Sequence, residues 1–242
     1  MDSLLTLSVG DYRSVELVLR LVVALVAMTA LLLGFSTCCV TKRFRFPLIL
    51  SSIAMLGAAW FESGVWLAWK GAFELAGSSY CVTGQLLAGE DRIIAWVLAI
   101  PLILLCFGLF RLPPDRGADR LRVLTRLSAS ALLLAVVASF SSFLTLLILG
   151  WIIWFLCLGV GKGETLPFTL ECRLASGIIG LAFLITLLGG WHLLPLGKSA
   201  DGTLVRGEII RSLCDLLSFV VPPLILLAGV LRISSREQAA NS

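Results

Sequence analysis

An all-α fold of seven transmembrane helices is predicted by three features of this chain. The first is composition. Of 242 residues, 59% are hydrophobic and 14% charged, and mean hydropathy is +1.02, whereas an average soluble domain is about 45–50% apolar and about 25% charged. Polar side chains are too few to clothe a soluble globule of this size. The second is distribution: the apolar residues gather in seven runs, each near the roughly 20 residues that a helix needs to cross hydrocarbon. The third is continuity. The runs do not alternate over about ten residues as barrel strands do, so helices are the way their backbones satisfy themselves.

The runs lie at about 15–39, 47–69, 92–110, 121–140, 143–160, 173–196 and 208–231, here called A to G. What remains is loops and short tails, so residues 1–242 are expected to form a single seven-helix membrane domain. No cleaved leader is expected, because the first ten residues lack a basic segment and run A is too long for a leader's apolar core. Run G contains Pro222 and Pro223. Each lacks an N–H, so the carbonyls of Ser218 and Phe219 lose their helical partners and a kink is expected there.

The basic residues predict orientation. Lys42, Arg43, Arg45, Arg111, Arg116, Arg120, Arg122, Arg126, Lys162, Arg173, Arg232 and Arg236 fall on one side. Arg13, Lys70, Lys198 and Arg206 fall on the other. Twelve against four puts the N-terminus outside and the C-terminus in the cytoplasm, since basic loops stay inside. The net charge of +4 is thus a topology signal. No basic run is long enough to grip phosphates, and no nucleic-acid partner is expected.

Cysteine and histidine exclude more than they suggest. Cys81 alone lies in an outer loop, so no disulfide is implied, and the other cysteines read as small packing residues. His192 is the only histidine, too little for a zinc site. Gly161-Lys162-Gly163-Glu164 lacks the hydroxyl residue and earlier glycine of a phosphate-binding loop. There is no nucleophile elbow. Nothing points to an enzyme, and no catalytic residue or metal is expected.

Ionisable residues within spans are costly and mark candidate sites. Chief among them are Glu62 in run B, Arg92 opening run C, and Arg211 and Asp215 in run G. Arg211 and Asp215 stand in the i,i+4 relation that permits an ion pair. A structural pair and a functional one are equally open on sequence alone. Trp66, Trp69 and Trp151 suit a membrane interface, whereas Trp96 and Trp191 lie deeper and suit a core or a cavity wall.

The stretch Arg92-Ile93-Ile94-Ala95-Trp96, with Ala99 and Pro101 following, resembles the third helix of microbial rhodopsins, most closely the xanthorhodopsin and proteorhodopsin-like pumps. Those pumps have Arg, then Asp-Trp, then Thr, then Pro. Tyr80-Cys81-Val82-Thr83-Gly84-Gln85-Leu86 resembles the Tyr-x-x-Thr-Gly-x-Leu turn of their loop between B and C. Trp191-His192-Leu193-Leu194-Pro195 is similar to their Trp-x-x-Tyr-Pro, and Asp215 with Phe219 to their Asp-x-x-x-Lys. The resemblance runs over nearly the whole chain and implies a microbial-rhodopsin-like bundle.

The departures bear on function. Phe219 stands where the resemblance implies the lysine that carries retinal as a Schiff base. The lysines at 42, 70, 162 and 198 fall at loops or helix ends. Ala95 stands at the proton-acceptor carboxylate, Phe61 at the histidine that partners it, Ala99 at the helix C threonine, Cys106 at the proton donor and Leu194 at the pocket tyrosine. Arg92, Trp96, Pro101, Trp191, Pro195 and Asp215 are retained. A Schiff base needs an amine, which phenylalanine lacks. With that charge gone, Ala95 avoids a buried carboxylate that would have no partner.

These changes imply a rhodopsin-like protein that is no light-driven pump by itself. An Arg92–Asp215–Arg211 cluster is expected to supply Asp215 with positive charge. The first functional reading is a structural or regulatory partner in a membrane oligomer, with a lysine-bearing rhodopsin or another membrane complex. There Glu62, about 100° round the helix from Phe61, would meet a polar group on a neighbour; the other reading, which is preferred, is that it satisfies a group within its own bundle. The alternative is a non-covalent binder of retinal, a carotenoid or another apolar ligand, acting as sensor or carrier, with Trp96 and Trp191 sandwiching the polyene. If Trp151 matches the helix E tryptophan, Ser142 stands where a glycine opens the wall to an antenna carotenoid. Phe219 and Phe61 add bulk to that slot, so its collapse is preferred and no covalent cofactor is expected. A passive ion path has little support, because Cys106 and Ser218 are the only polar groups in the cytoplasmic halves of C and G. The expected location is a bacterial-type inner membrane or an equivalent one.

Overall fold

The computed structural model describes residues 6–85, 89–111, 169–190 and 200–240. In chain order these form β1 (Thr6–Ser8), α1 (Val9–Ser36), α2 (Lys42–Ala72), β2 (Phe73–Ala76), β3 (Ser79–Val82), α3 (Gly89–Arg111), α4 (Thr169–Gly190), α5 (Ala200–Phe219) and α6 (Val221–Ala240). Runs D and E, and residues 191–196 of run F, lie outside the described residues. The molecule is mostly helical. Among the described residues, three stretches are long and apolar enough to cross a membrane: Val9–Ser36, Lys42–Ala72 and Leu204–Ala239. It is an integral membrane protein.

Helix–helix packing follows a 3–4 spacing. On α1 the buried residues include Tyr12, Val15, Leu19, Val22, Val26, Ala30 and Leu33. On α2 they include Phe44, Leu48, Ser51, Met55, Ala58, Glu62, Val65, Trp69 and Ala72. Those stripes face the core, as the helical period requires. The opposite faces expose Met28, Phe35, Ile53 and Trp60, which suits lipid as the surrounding solvent. Small residues bring α1 and α2 together. A Cβ on Gly34 would stand 3.3 Å from Ser52 Oγ, and that hydroxyl donates to the Ala30 carbonyl at 2.7 Å.

The helices extend beyond the apolar runs. α1 begins at Val9, not near residue 15, because Ser8 caps it by accepting from the Asp11 N–H at 3.0 Å. It ends at Ser36, and Thr37–Cys39 turn back. α2 begins at Lys42, five residues before Pro47, since Lys42, Arg43 and Arg45 add helix without adding hydropathy.

The all-α expectation needs a correction. A three-stranded antiparallel sheet in the order β1-β3-β2 closes one end of the bundle. Thr6 pairs with Cys81 and Ser8 with Ser79, while Phe73 pairs with Val82. The two-residue turn between β2 and β3 uses Gly77 at φ +66, a left-handed conformation in which glycine has no steric penalty. Beneath the sheet Tyr12 stacks on Tyr80 at 3.7 Å between ring centroids, and Trp69 and Phe73 complete the aromatic cluster. Trp66 carries Arg20 and Lys70 over its ring.

The last run divides where the prolines dictate. α5 ends at Phe219 and α6 starts at Val221. Val220 between them still donates to the Leu216 carbonyl at 3.0 Å and accepts from the Leu224 N–H at 3.3 Å. The column continues with a break and does not stop. Far from the sheet, α6 is tied to the turn between α1 and α2. Ser234 Oγ accepts from the Thr41 N–H at 2.7 Å, and Glu237 pairs with Arg43 and Thr41. Ser234→Ala is expected to lower stability by about 1–2 kcal/mol, the cost of orphaning a sequestered N–H. Thermal unfolding in detergent measures it, and an unchanged midpoint would show that water replaces the hydroxyl.

Candidate functional site

Four ionisable side chains meet between α3 and α5. Arg92, in the first turn of α3, is buried; two of its guanidinium nitrogens donate hydrogen bonds, and Nε makes an ion-pair contact without hydrogen-bond geometry. Nε lies 2.8 Å from Asp215 Oδ2, Nη1 donates to Glu208 Oε2 at 3.0 Å, and Nη2 donates to Ser212 Oγ at 3.4 Å. Glu208 also accepts from Arg211 Nη2 at 2.6 Å. Asp215 is 0% exposed, and its Oδ1 accepts from the Trp96 indole N–H at 2.6 Å. Glu208, Ser212 and Asp215 share one face of α5 by their spacing of four and three. The Trp96 N–H and the adjacent Arg92 charge together fix this buried carboxylate in place.

The expected partnership of Arg211 is corrected by this geometry. Arg211 reaches Glu208, three residues before it, instead of Asp215. Asp215 takes its positive charge from Arg92 across the helix interface. Glu208 therefore bridges the two arginines, a role the sequence reading missed when it took Glu208 only as the start of run G. Its spacing from Ser212 and Asp215 was the available signal.

Glu62 also needs a correction. It is 1% exposed, so within one copy it faces the bundle and not a neighbour. The cause is visible in α2, where Met55, Ala58, Glu62, Val65 and Trp69 form one inward stripe. Both Glu62 carboxylate oxygens are buried without a hydrogen-bond partner, and its electrostatic neighbours are Asp215, Arg92 and Glu208. Phe61, one position earlier, is only partly buried and packs at the margin of the core.

Below the ion pairs the interior is apolar. Phe219 is 0% exposed and meets the Trp96 ring edge-on, 5.8 Å between centroids. Ala95, Ala99 and Cys106 of α3 are buried in the same core. Lys42 is the first residue of α2 and Lys70 is in its last turn, so neither reaches mid-helix. Pro101 lies within α3. Trp191, Leu194 and Pro195 lie outside the described residues, as do Ser142, Trp151, Lys162 and Lys198. Among the described residues no group of histidine, cysteine or carboxylate side chains could hold a metal ion.

No family model matches the chain, and no curated protein matches it. Solved structures do. Xanthorhodopsin, described as a light-driven ion pump with dual chromophore, is 21% identical, with a TM-score of 0.71 over 98% of this chain and 99% of that one. Thermophilic rhodopsin is 21% identical, with a TM-score of 0.75 over 97% and 99%. Exiguobacterium sibiricum rhodopsin is 15% identical, with a TM-score of 0.59 over 92% and 98%.

The fold is that of the microbial rhodopsins.

Within this rhodopsin fold the Trp96–Asp215 bond couples the aromatic core to the ion pairs. Trp96→Phe keeps the ring and removes the donor. It is expected to cost about 1.5–3 kcal/mol, the usual worth of a hydrogen bond to a charged group. Thermal unfolding measured beside Trp96→His, which restores a ring N–H, separates the lost bond from lost packing. Equal midpoints for the two variants would assign the effect to packing.

Proposed function

We propose that this chain is a seven-helix membrane protein of the rhodopsin fold that performs no photochemistry by itself and serves as a structural or regulatory partner in a membrane oligomer. The observation that carries the reading is Phe219. By the resemblance of Asp215-x-x-x-Phe219 to Asp-x-x-x-Lys it stands at the position of the Schiff-base lysine, it is fully buried, and it packs on Trp96. A phenyl ring offers no amine for a covalent adduct, and here it occupies core volume beside the tryptophan. Ala95 and Cys106 fit the same reading, since neither is a carboxylate that would pass a proton to or from a Schiff base.

With reactive chemistry gone, what the fold offers a membrane is its surface. The partner is a lysine-bearing rhodopsin or another membrane complex. The inward position of Glu62 removes it as the docking group, so lipid-facing apolar residues such as Met28, Phe35 and Trp60 are the contact class. The N-terminus is outside and the C-terminus in the cytoplasm, which the distribution of basic residues supports, and the membrane is a bacterial-type inner membrane or its equivalent.

Two measurements test this. Purified protein mixed with retinal, and separately with carotenoids, is expected to show no bound visible band. A bound band would favour the non-covalent pigment reading instead. Co-purification from mild detergent is expected to retain an oligomer or a second membrane protein, and a monomer with no companion would end the partner reading.

A further inference from the structure

Glu62 is the one cluster neighbour whose chemistry the ion pairs leave unexplained. It lies on the inward stripe of α2, 1% exposed, with both oxygens lacking any hydrogen-bond donor. Its electrostatic neighbours are Asp215, Arg92 and Glu208. From α3 it faces Arg92, and Asp91 stands close by, its Oδ2 2.6 Å from where a Cβ on Gly64 would lie. From α5 it faces Glu208 and Asp215, with Arg211 held behind Glu208. The charged residues of α1 (Asp11, Arg13, Glu16 and Arg20) lie in its half nearer the sheet.

We propose that Glu62 holds an exchangeable proton inside the bundle, as a neutral carboxyl beside the Arg92–Asp215–Glu208 cluster. The charge count leads there. Arg92 and Arg211 are already balanced by Glu208 and Asp215, so an ionised Glu62 would be a surplus negative charge in a water-poor interior. Arg92 directs Nη1 and Nη2 to Glu208 and Ser212 and sets Nε against Asp215 in an ion-pair contact, and no hydrogen-bond donor reaches either Glu62 oxygen. A buried carboxylate in that position is costly, and the common resolution is that the group neutralises. The proton has a consequence for its neighbours. When it leaves, Glu62 competes with Asp215 for Arg92, so the cluster is set by proton occupancy on α2 and not by light.

Infrared spectra of the purified full chain in nanodiscs at neutral pH test this by subtracting Glu62→Gln from the unmutated protein. The expected difference is the carbonyl-stretch band of a protonated carboxyl, lost in Glu62→Gln and shifted in heavy water. A difference containing only carboxylate bands overturns the proposal. So do carboxylate bands that change when sodium is exchanged for N-methylglucamine, since a metal cation would then stand in the proton's place. If Glu62→Gln does not accumulate, carbon-13 glutamate labelling of the unmutated chain gives an independent readout. The protonated-carboxyl band must move on labelling, and a missing or unmoved band overturns the proposal.

Discussion

Replacing Arg92 with glutamine is expected to lower stability by about 3–5 kcal/mol, the cost of breaking a buried pair from one side. Glutamine keeps much of the shape and loses the charge. Asp215, 0% exposed, then retains only the Trp96 indole, and Glu208 is left with Arg211. A loss of that size is a large fraction of the roughly 5–15 kcal/mol that holds a typical domain together, so folded yield in membranes should fall sharply. The double variant Arg92→Gln/Asp215→Asn removes the orphaned charge as well and should recover part of the loss. Unfolding midpoints of the single and double variants, measured in one detergent, decide it. If the single change costs no more than Trp96→Phe, the cluster is not the anchor described here.

Placing lysine at position 219 should have the largest spectroscopic effect. The unmutated protein with retinal is expected to stay colourless, whereas Phe219→Lys with retinal should acquire a visible band that hydroxylamine bleaches. The geometry is favourable on two counts. The new amine would stand one helical turn after Asp215, close enough to serve as its positive partner, and exchanging a phenyl ring for a flexible chain frees space beside Trp96. Without retinal the same variant should accumulate poorly, because an ammonium would be buried where a ring had packed. A folded Phe219→Lys protein that remains colourless would mean that residues other than Phe219 close the slot.

Hydropathy placed runs A, B, C, F and G on described helices and was a poor guide to their ends. Run A missed the first turns of α1 because Ser8 and Asp11 extend the helix with polar capping groups that no apolar window counts. The sheet was missed for a related reason: residues 73–82 fall outside every apolar run, and their pairing with Thr6–Ser8 is set by tertiary geometry. The break at Val220 was legible, since two missing N–H groups have one structural meaning. In the site, Arg92 and Asp215 stood out as charges in apolar surroundings, but which charge meets which depends on helix rotation. Arg211 takes Glu208 because that side chain lies on its own face one turn back. Glu62 could have been placed from its spacing of four and three to Ala58 and Val65 and of seven to Met55 and Trp69. The helical period of that stripe places it inward.

The antiparallel sheet has a mechanical meaning. α1 and α2 are joined at one end by the turn at Thr37–Cys39 and at the other through β1, β3 and β2, so the pair is stapled at both ends like a ladder with two rungs. Neither helix can slide along or rotate about its axis without tearing strand pairs or the Ser52–Ala30 bond. Any displacement that a neighbour or a change of charge imposes on the bundle must therefore be absorbed elsewhere. Among the described elements, the interruption at Val220 is one place where the helical hydrogen-bond ladder is already incomplete, because Pro222 and Pro223 lack N–H donors.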